Sequence, residues 1–328
     1  MCGIVGMVRA DGASISAALL ERMRDCLAHR GSDDAGLYLQ GDVGLGVRRL
    51  AILDTTSAGH QPMANHDGTL WVVFNGEIYN YVELAEELRR AGHRLVSSSD
   101  TEVLLHLYEQ FGKECLHRLN GMFAFAVWDA RERLLFAARD RLGIKPFYFH
   151  HRRDRFLFAS EVKALVEADS SLRRADDEAL ADYLFAGGAL GARTGFADVR
   201  QLEPGHWLTY RDGQVEIGRY WNSTYRYEEP SREADLLAEL AWLVDDVCGS
   251  RLAATSRWVA ISVGGSTRVP WRATPLDTFE RLRRSRSDSA KAHTTTKRST
   301  PERSRHTSGR RTSRRSARLR ISRVYFRP

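Results

Sequence analysis

Cys2 sits in Met1-Cys2-Gly3-Ile4-Val5-Gly6, a position that gives it a chemistry open to no other cysteine of the chain. Removal of Met1, favoured by a small second residue, leaves a thiol and a free α-amine on one residue. The amine's reference pKa of about 7.7–8.0, against about 10.4 for lysine, leaves a useful neutral fraction near pH 7 that can take the thiol's proton. One residue then supplies nucleophile and base. The structural alternative is that Cys2 is only the first buried residue of a strand, since Ile4–Val8 is an apolar run. Other residues are similarly open on type alone. Their structural alternatives are a type I′ turn for Asn75-Gly76, a helix-start charge for Asp100 and a surface cation for Arg49. Cys26 shares a helical face with Leu19, Met23 and Leu27 and reads as a small core hydrophobe, as do Cys115 and Cys248. The four cysteines show no CxxC or Cys/His spacing, so neither a disulfide nor a metal site is expected.

The elements that must hold these residues are legible from start and stop signals. Ser16–His29 reads as an amphipathic helix closed by Gly31, and Asn80–Ala91 as another with Gly92 at its end. Ser99-Asp100-Thr101-Glu102 reads as a capping box opening a third helix. Leu70–Phe74, Met122–Trp128, Leu134–Ala138, Phe147–Phe149 and Phe156–Ala159 are aromatic and branched runs joined by polar turns such as Asp129-Ala130-Arg131-Glu132-Arg133. Closely spaced strands with few helices between them predict antiparallel sheets with helices on the outer faces.

Several segments, taken in order, resemble the class II glutamine amidotransferases, and among them the glutamine-hydrolysing asparagine synthetases. They are Met-Cys-Gly-Ile-Val-Gly at the start, His29-Arg30-Gly31-Ser32-Asp33-Asp34-Ala35-Gly36, Arg49-Leu50-Ala51-Ile52-Leu53-Asp54, Phe74-Asn75-Gly76-Glu77-Ile78-Tyr79-Asn80 and Ser99-Asp100-Thr101-Glu102. Leu119-Asn120-Gly121-Met122-Phe123-Ala124-Phe125 and Ala138-Arg139-Asp140-Arg141-Leu142-Gly143-Ile144-Lys145-Pro146 continue the match, which runs to about residue 252. Ser32 departs from it, standing where the family has proline.

The resemblance implies an α+β fold, a four-layer αββα sandwich of two antiparallel sheets between helices, in a glutaminase domain over residues 2–205. It implies that Cys2 attacks the side-chain amide of L-glutamine, giving a thioester and ammonia, and that Asn75 and Gly76 supply the oxyanion donors. Arg49 would grip the α-carboxylate, Glu77 and Asp100 the α-ammonium, with Leu50, Ile52 and Leu53 in the same glutamine-binding set. His29, Arg30 and Arg48 stay outside the catalytic set, since a helix-terminal His-Arg pair is equally explained by the helix dipole. The glutaminase step implies no cofactor; ATP and Mg²⁺ belong to the intact family enzyme, which converts aspartate to asparagine. The resemblance also allows a homodimer.

Residues 206–253 read as a linker and the start of a synthetase domain, where the family carries a Ser-Gly-Gly-Leu-Asp-Ser loop for the pyrophosphate of ATP. This chain instead has Ile261-Ser262-Val263-Gly264-Gly265-Ser266-Thr267-Arg268-Val269-Pro270. With suitable codons, the third base of each joined to the first two of the next spells Leu-Ser-Gly-Gly-Leu-Asp-Ser-Ser-Ala-Val. That points to a frameshift near residue 253 and an out-of-frame tail over 254–328.

Charge supports the division. Of 328 residues with net charge +7, the last 56 hold 17 Lys+Arg against 4 Asp+Glu, while the remainder hold 32 against 38. With 17 Ser+Thr and little apolar periodicity, the tail cannot offset its ordering entropy and reads as disordered. A nucleic-acid-binding role through this polycation is a rival reading, as is an amidotransferase acting on another acceptor; no evolved nucleic-acid partner is expected. No run approaches the roughly 18 apolar residues of a membrane helix, and no secretory signal is visible, so the expectation is a cytoplasmic protein without a membrane partner.

Overall fold

The aromatic and branched runs form strands, and polar turns fold them into two six-stranded sheets in a computed structural model that describes residues 1–224 and 232–251. In chain order the elements are β1 (Gly3–Arg9), α1 (Ala17–Asp25), β2 (Asp34–Gln40), β3 (Val43–Arg49), β4 (Met63–Ala64), β5 (Leu70–Ile78), α2 (Tyr81–Arg90) and α3 (Asp100–Phe111). There follow β6 (Gly121–Asp129), β7 (Leu134–Arg139), β8 (Tyr148–Arg152), β9 (Arg155–Ala159), α4 (Val162–Ala168), α5 (Asp177–Ala186), β10 (Arg200–Gln201), β11 (His206–Arg211) and β12 (Gln214–Arg219). These lie in a unit over Met1–Ser223; a 19-residue helix, α6 (Glu233–Arg251), belongs to a second unit.

The first sheet has the order β10-β8-β9-β1-β3-β2 and the second β12-β11-β7-β6-β5-β4, with antiparallel neighbours throughout. Strand alternation sorts their side chains among three apolar layers. In β1, Ile4 and Val8 meet Leu45 and Val47 of β3 and Val73, Ala124 and Ala126 of the other sheet, filling the space between sheets. Val5 and Met7 point the other way, onto Leu20 and Met23 of α1 and Leu165 of α4. In the second sheet, Val72, Phe74, Phe123 and Phe125 face Leu84 and Leu88 of α2 and Leu104 and Leu107 of α3. The result is the expected αββα sandwich. Because central strands are buried on both faces, they read as continuous apolar runs rather than alternating ones.

Three local differences from the sequence reading have physical causes. The first helix ends at Asp25, because residues 27 to 30 tighten into i→i+3 turns, with Leu27 N–H on Arg24 O and Arg30 N–H on Leu27 O. The capping box is rearranged. Ser99 Oγ accepts Thr101 N–H at 3.1 Å, while the Glu102 carboxylate reaches past the cap to the N–H groups of Val96 and Ser97. The second sheet also continues past residue 205, since β11 pairs with β7 and β12 with β11. The reading of 254–328 as an out-of-frame tail, and the side chain of Cys248, lie outside what is described. No helix among the described residues is long and apolar enough to cross a membrane.

Candidate active site

Parity and register bring the sequence candidates to one end of the sandwich. Cys2 precedes β1 with the parity of Ile4 and Val8; Arg49 ends β3 with the parity of Leu45 and Val47; Asn75 and Glu77 share the parity of Val73 in β5. All four positions therefore fall on the faces that line the space between the sheets. Gly3 pairs with Arg48, which sets Cys2 beside Arg49, and both β1 and β3 pack against β5.

Cys2 is half-buried and pinned on two sides. Its Sγ lies 3.4 Å from Leu50 N–H and 3.7 Å from Leu50 O, and its carbonyl accepts Arg30 Nε–H at 2.9 Å. Arg30 Nη1 and His29 both bond Oε1 of Glu161 at 2.9 Å. Burial pushes the Glu161 carboxyl up, but the hydrogen bonds from Arg30, His29 and Lys163 outweigh it and hold the group at about 2. Arg30 thus orients the backbone of the candidate nucleophile, a role that its helix-terminal position in the sequence did not reveal. Burial pushes the Cys2 thiol up, only partly countered by the Leu50 hydrogen bond and the charge of Arg49. A thiol so placed needs a base. In this chain the terminal amine belongs to Met1, and burial lowers its pKa.

Arg49 is buried, not a surface cation. Its Nη2 donates to Leu53 O at 2.8 Å and Asp54 O at 2.7 Å, while Nε and Nη1 make no hydrogen bond among the described residues. The loop it holds carries Leu50, Ile52 and Leu53. Asp54, at φ +47°, ties that loop to the start of α3 through Ser98 N–H at 2.8 Å. Gly31 is required here by close approach, since a Cβ would stand 2.4 Å from the Arg48 carbonyl.

Asn75-Gly76 is not a turn, because β5 runs unbroken from Leu70 to Ile78 with Asn75 opposite Ala124 and Gly76 opposite Phe123. The N–H groups of Phe74 and Ile78 point away from β6, onto Gln61 Oε1 at 2.8 Å and Asp100 Oδ2 at 3.0 Å. Gly76 N–H has the same parity, so it too points to that open edge. Asn75 is 1% exposed, yet its Nδ2 and Oδ1 both lack a hydrogen-bond partner among the described residues. A buried amide left unsatisfied costs about 1–3 kcal/mol, which is retained where function requires it.

Asp100 is a helix-start residue whose Oδ2 also meets the open edge of β5 at Ile78 N–H. It is 4% exposed, and burial raises its pKa to about 7, with the charge of Glu77 adding to the rise. Lys145, which sequence reasoning left without a role, is buried close enough to feel both Glu77 and Cys2, whose charges oppose the lowering that burial causes. The arrangement brings together a half-buried candidate nucleophile, an unsatisfied side-chain amide, an open strand edge, a guanidinium and two carboxylates, groups whose chemistry suits an amino-acid amide.

Residues 1–221 match a family model described as a glutamine amidotransferase domain. Two asparagine synthetases [glutamine-hydrolyzing] of Bacillus subtilis, numbered 3 and 1, are 42% and 39% identical over 68% and 69% of this chain. The chain spans little more than a third of those relatives, 37% and 36% of their lengths. The glutamine phosphoribosylpyrophosphate amidotransferase of B. subtilis shares the fold, with a TM-score of 0.51 at 22% identity over 69% of this chain and 50% of that one. With the fold and these matches in agreement, the chain belongs to the class II glutamine amidotransferases, and its matched region corresponds to the glutaminase part of asparagine synthetases.

Proposed function

We propose that residues 1–221 hydrolyse L-glutamine to glutamate and ammonia, with Cys2, freed of Met1, as nucleophile. Sγ attacks the side-chain amide carbon while the thiol proton passes to the terminal amine. The oxyanion that forms accepts hydrogen bonds from Asn75 Nδ2 and Gly76 N–H. Collapse breaks the C–N bond, the ammonium returns its proton to the leaving nitrogen, and ammonia departs. Water then cleaves the thioester to glutamate and restores the thiol. Nε and Nη1 of Arg49 take the α-carboxylate; Glu77 and ionised Asp100 take the α-ammonium. The observation that carries this reading is the Asn75 side-chain amide, buried and without a hydrogen-bond partner among the described residues, on the strand β5 against which β1 packs.

The test is ammonia release from glutamine by protein shown by mass to lack Met1, together with labelling of Cys2 by a glutamine-like electrophile. Cys2→Ala should abolish both, and full turnover in that variant would overturn the assignment.

The ammonia's destination in the intact family enzyme is aspartate, in an ATP- and Mg²⁺-dependent amidation. The segment standing in the place of its ATP loop, residues 261–270, lies outside the described residues, and no step is assigned to it. Read as written, that segment places Arg268 and Pro270 where small residues must let backbone N–H groups reach phosphate. Aspartate, ATP and free ammonia should therefore give no asparagine with this polypeptide. Sequencing the gene across codons 250–270 tests the frame.

A further inference from the structure

On the outer face of the second sheet, the end of α2 and the middle of α3 bring together three donor atoms, none of them from the residues assigned to glutamine above. His93 Nδ1 lies 3.2 Å from His106 Nδ1, His106 Nδ1 lies 3.0 Å from Glu109 Oε2, and His93 Nδ1 lies 3.8 Å from the same oxygen. A triangle with those sides has a point about 2.0 Å from every corner, the bond length of zinc to imidazole nitrogen and carboxylate oxygen.

We propose that His93, His106 and Glu109 bind a divalent transition-metal ion of the zinc class, with a fourth position open to water.

The ligands are also held in place. His93 is the second residue after the cap of α2, where its N–H bonds Leu88 O at 2.9 Å and Gly92 takes φ +96°, a Schellman closure that fixes its backbone. His106 and Glu109 are three apart on α3 and so share a face; His106 is 6% exposed. The other carboxylate oxygen of Glu109 accepts Asn65 Nδ2 at 2.8 Å, and Asn65 is itself fixed by the N–H groups of Thr69 and Leu70 at 3.0 Å. Such support from outside the ligand set is what orients metal-binding carboxylates. The sequence reading expects no metal because it looked to cysteine spacing. Ligands drawn from a helix cap and a separate helix, 13 positions apart, make no linear motif.

The ion would clamp the α2–α3 connection to α3, the helix that begins with Asp100. Its role is therefore structural, and independent of whether the glutaminase reading holds.

The full chain, stripped with a chelator and dialysed, is titrated with Zn²⁺ alone and, in parallel, with Co²⁺ alone. The expected result is one tight Zn²⁺ equivalent and a rise in Tm on loading. Co²⁺ should give a nitrogen/oxygen ligand-field spectrum without the thiolate charge-transfer band that binding at Cys2 would produce. His93→Ala and Glu109→Gln should each weaken the site by at least about tenfold and remove the Tm shift. His117→Ala, in the exposed His117/Glu114 pair, should leave the titration unchanged. His106 is buried and its loss endangers the fold, so the two less buried ligands carry the test. Absence of a tight equivalent in the wild type, or one that survives both ligand variants, overturns the proposal.

Discussion

Replacing Asp100 by Asn separates the cost of burying a carboxylate from its use. The amide oxygen can keep the bond that Asp100 Oδ2 accepts from Ile78 N–H at 3.0 Å, while the charge is lost. Burial raises the Asp100 pKa from 3.8 to about 7. Below pH 4 both folded and unfolded chains carry the proton. Between 4 and 7 only the folded chain keeps it, so stability from this group falls as pH rises through that window and is fully lost above it. Three pKa units correspond to about 4 kcal/mol. The Asn variant should thus match the wild type near pH 4 and gain stability over it up to about that amount at pH 8, read as urea midpoints. Catalysis should move the other way. In the proposed reaction the ionised group takes the α-ammonium of glutamine, so Asp100→Asn should raise KM with a much smaller effect on kcat, and wild-type KM should rise below pH 7. An Asn variant less stable than wild type at pH 8, or one with unaltered KM, would refute the reasoning.

Three further outcomes follow from the same geometry. Asn75→Ala should lower kcat by about 10²–10³ with little change in KM, and should not lower Tm, because the amide it removes has no hydrogen-bond partner to lose among the described residues. Arg49→Lys should chiefly raise KM in steady-state assays, since a lysine cannot hold Leu53 O and Asp54 O and also present two parallel donors to a carboxylate. Glu161, held at about 2 by Arg30, His29 and Lys163, contributes stability above pH 4.5 that is lost as pH falls towards 2; Glu161→Gln should flatten that part of an acid-unfolding curve.

The strands and the site were legible in the sequence for different reasons. Branched and aromatic runs such as Met122–Trp128 announce a strand whatever surrounds them, and Gly92 marks a helix end through its own backbone freedom. Cys2, Arg49, Asn75 and Asp100 were legible only as members of ordered motifs; by residue type alone three of them left roles in turns, caps or surface open. What escaped depends on where side chains arrive after folding. Arg30 reaches the Cys2 carbonyl across 28 residues, and Glu102 passes over its own helix cap to Val96 and Ser97. His93 meets His106 only because the chain reverses between two helices. The continuation of the second sheet through β11 and β12 was missed because polar residues alternate along an edge hairpin, which weakens its apolar signal.

The candidate nucleophile and its candidate oxyanion donor belong to opposite sheets, Cys2 before β1 and Asn75 within β5, and no hydrogen bond among the described residues joins them. The gap between them is therefore gauged by the filling of the sandwich, in which Val73, Ala124 and Ala126 meet Ile4, Leu45 and Val47. A methyl group added there acts as a shim. Close-packed cores respond to such additions with shifts of backbone rather than by compression, so a conservative enlargement far from any reacting atom resets a distance that catalysis reads to a fraction of an ångström. A site built inside one loop would be insulated from its core. Here the interior is a mechanical part of the site, and its small residues are constrained by turnover as well as by folding.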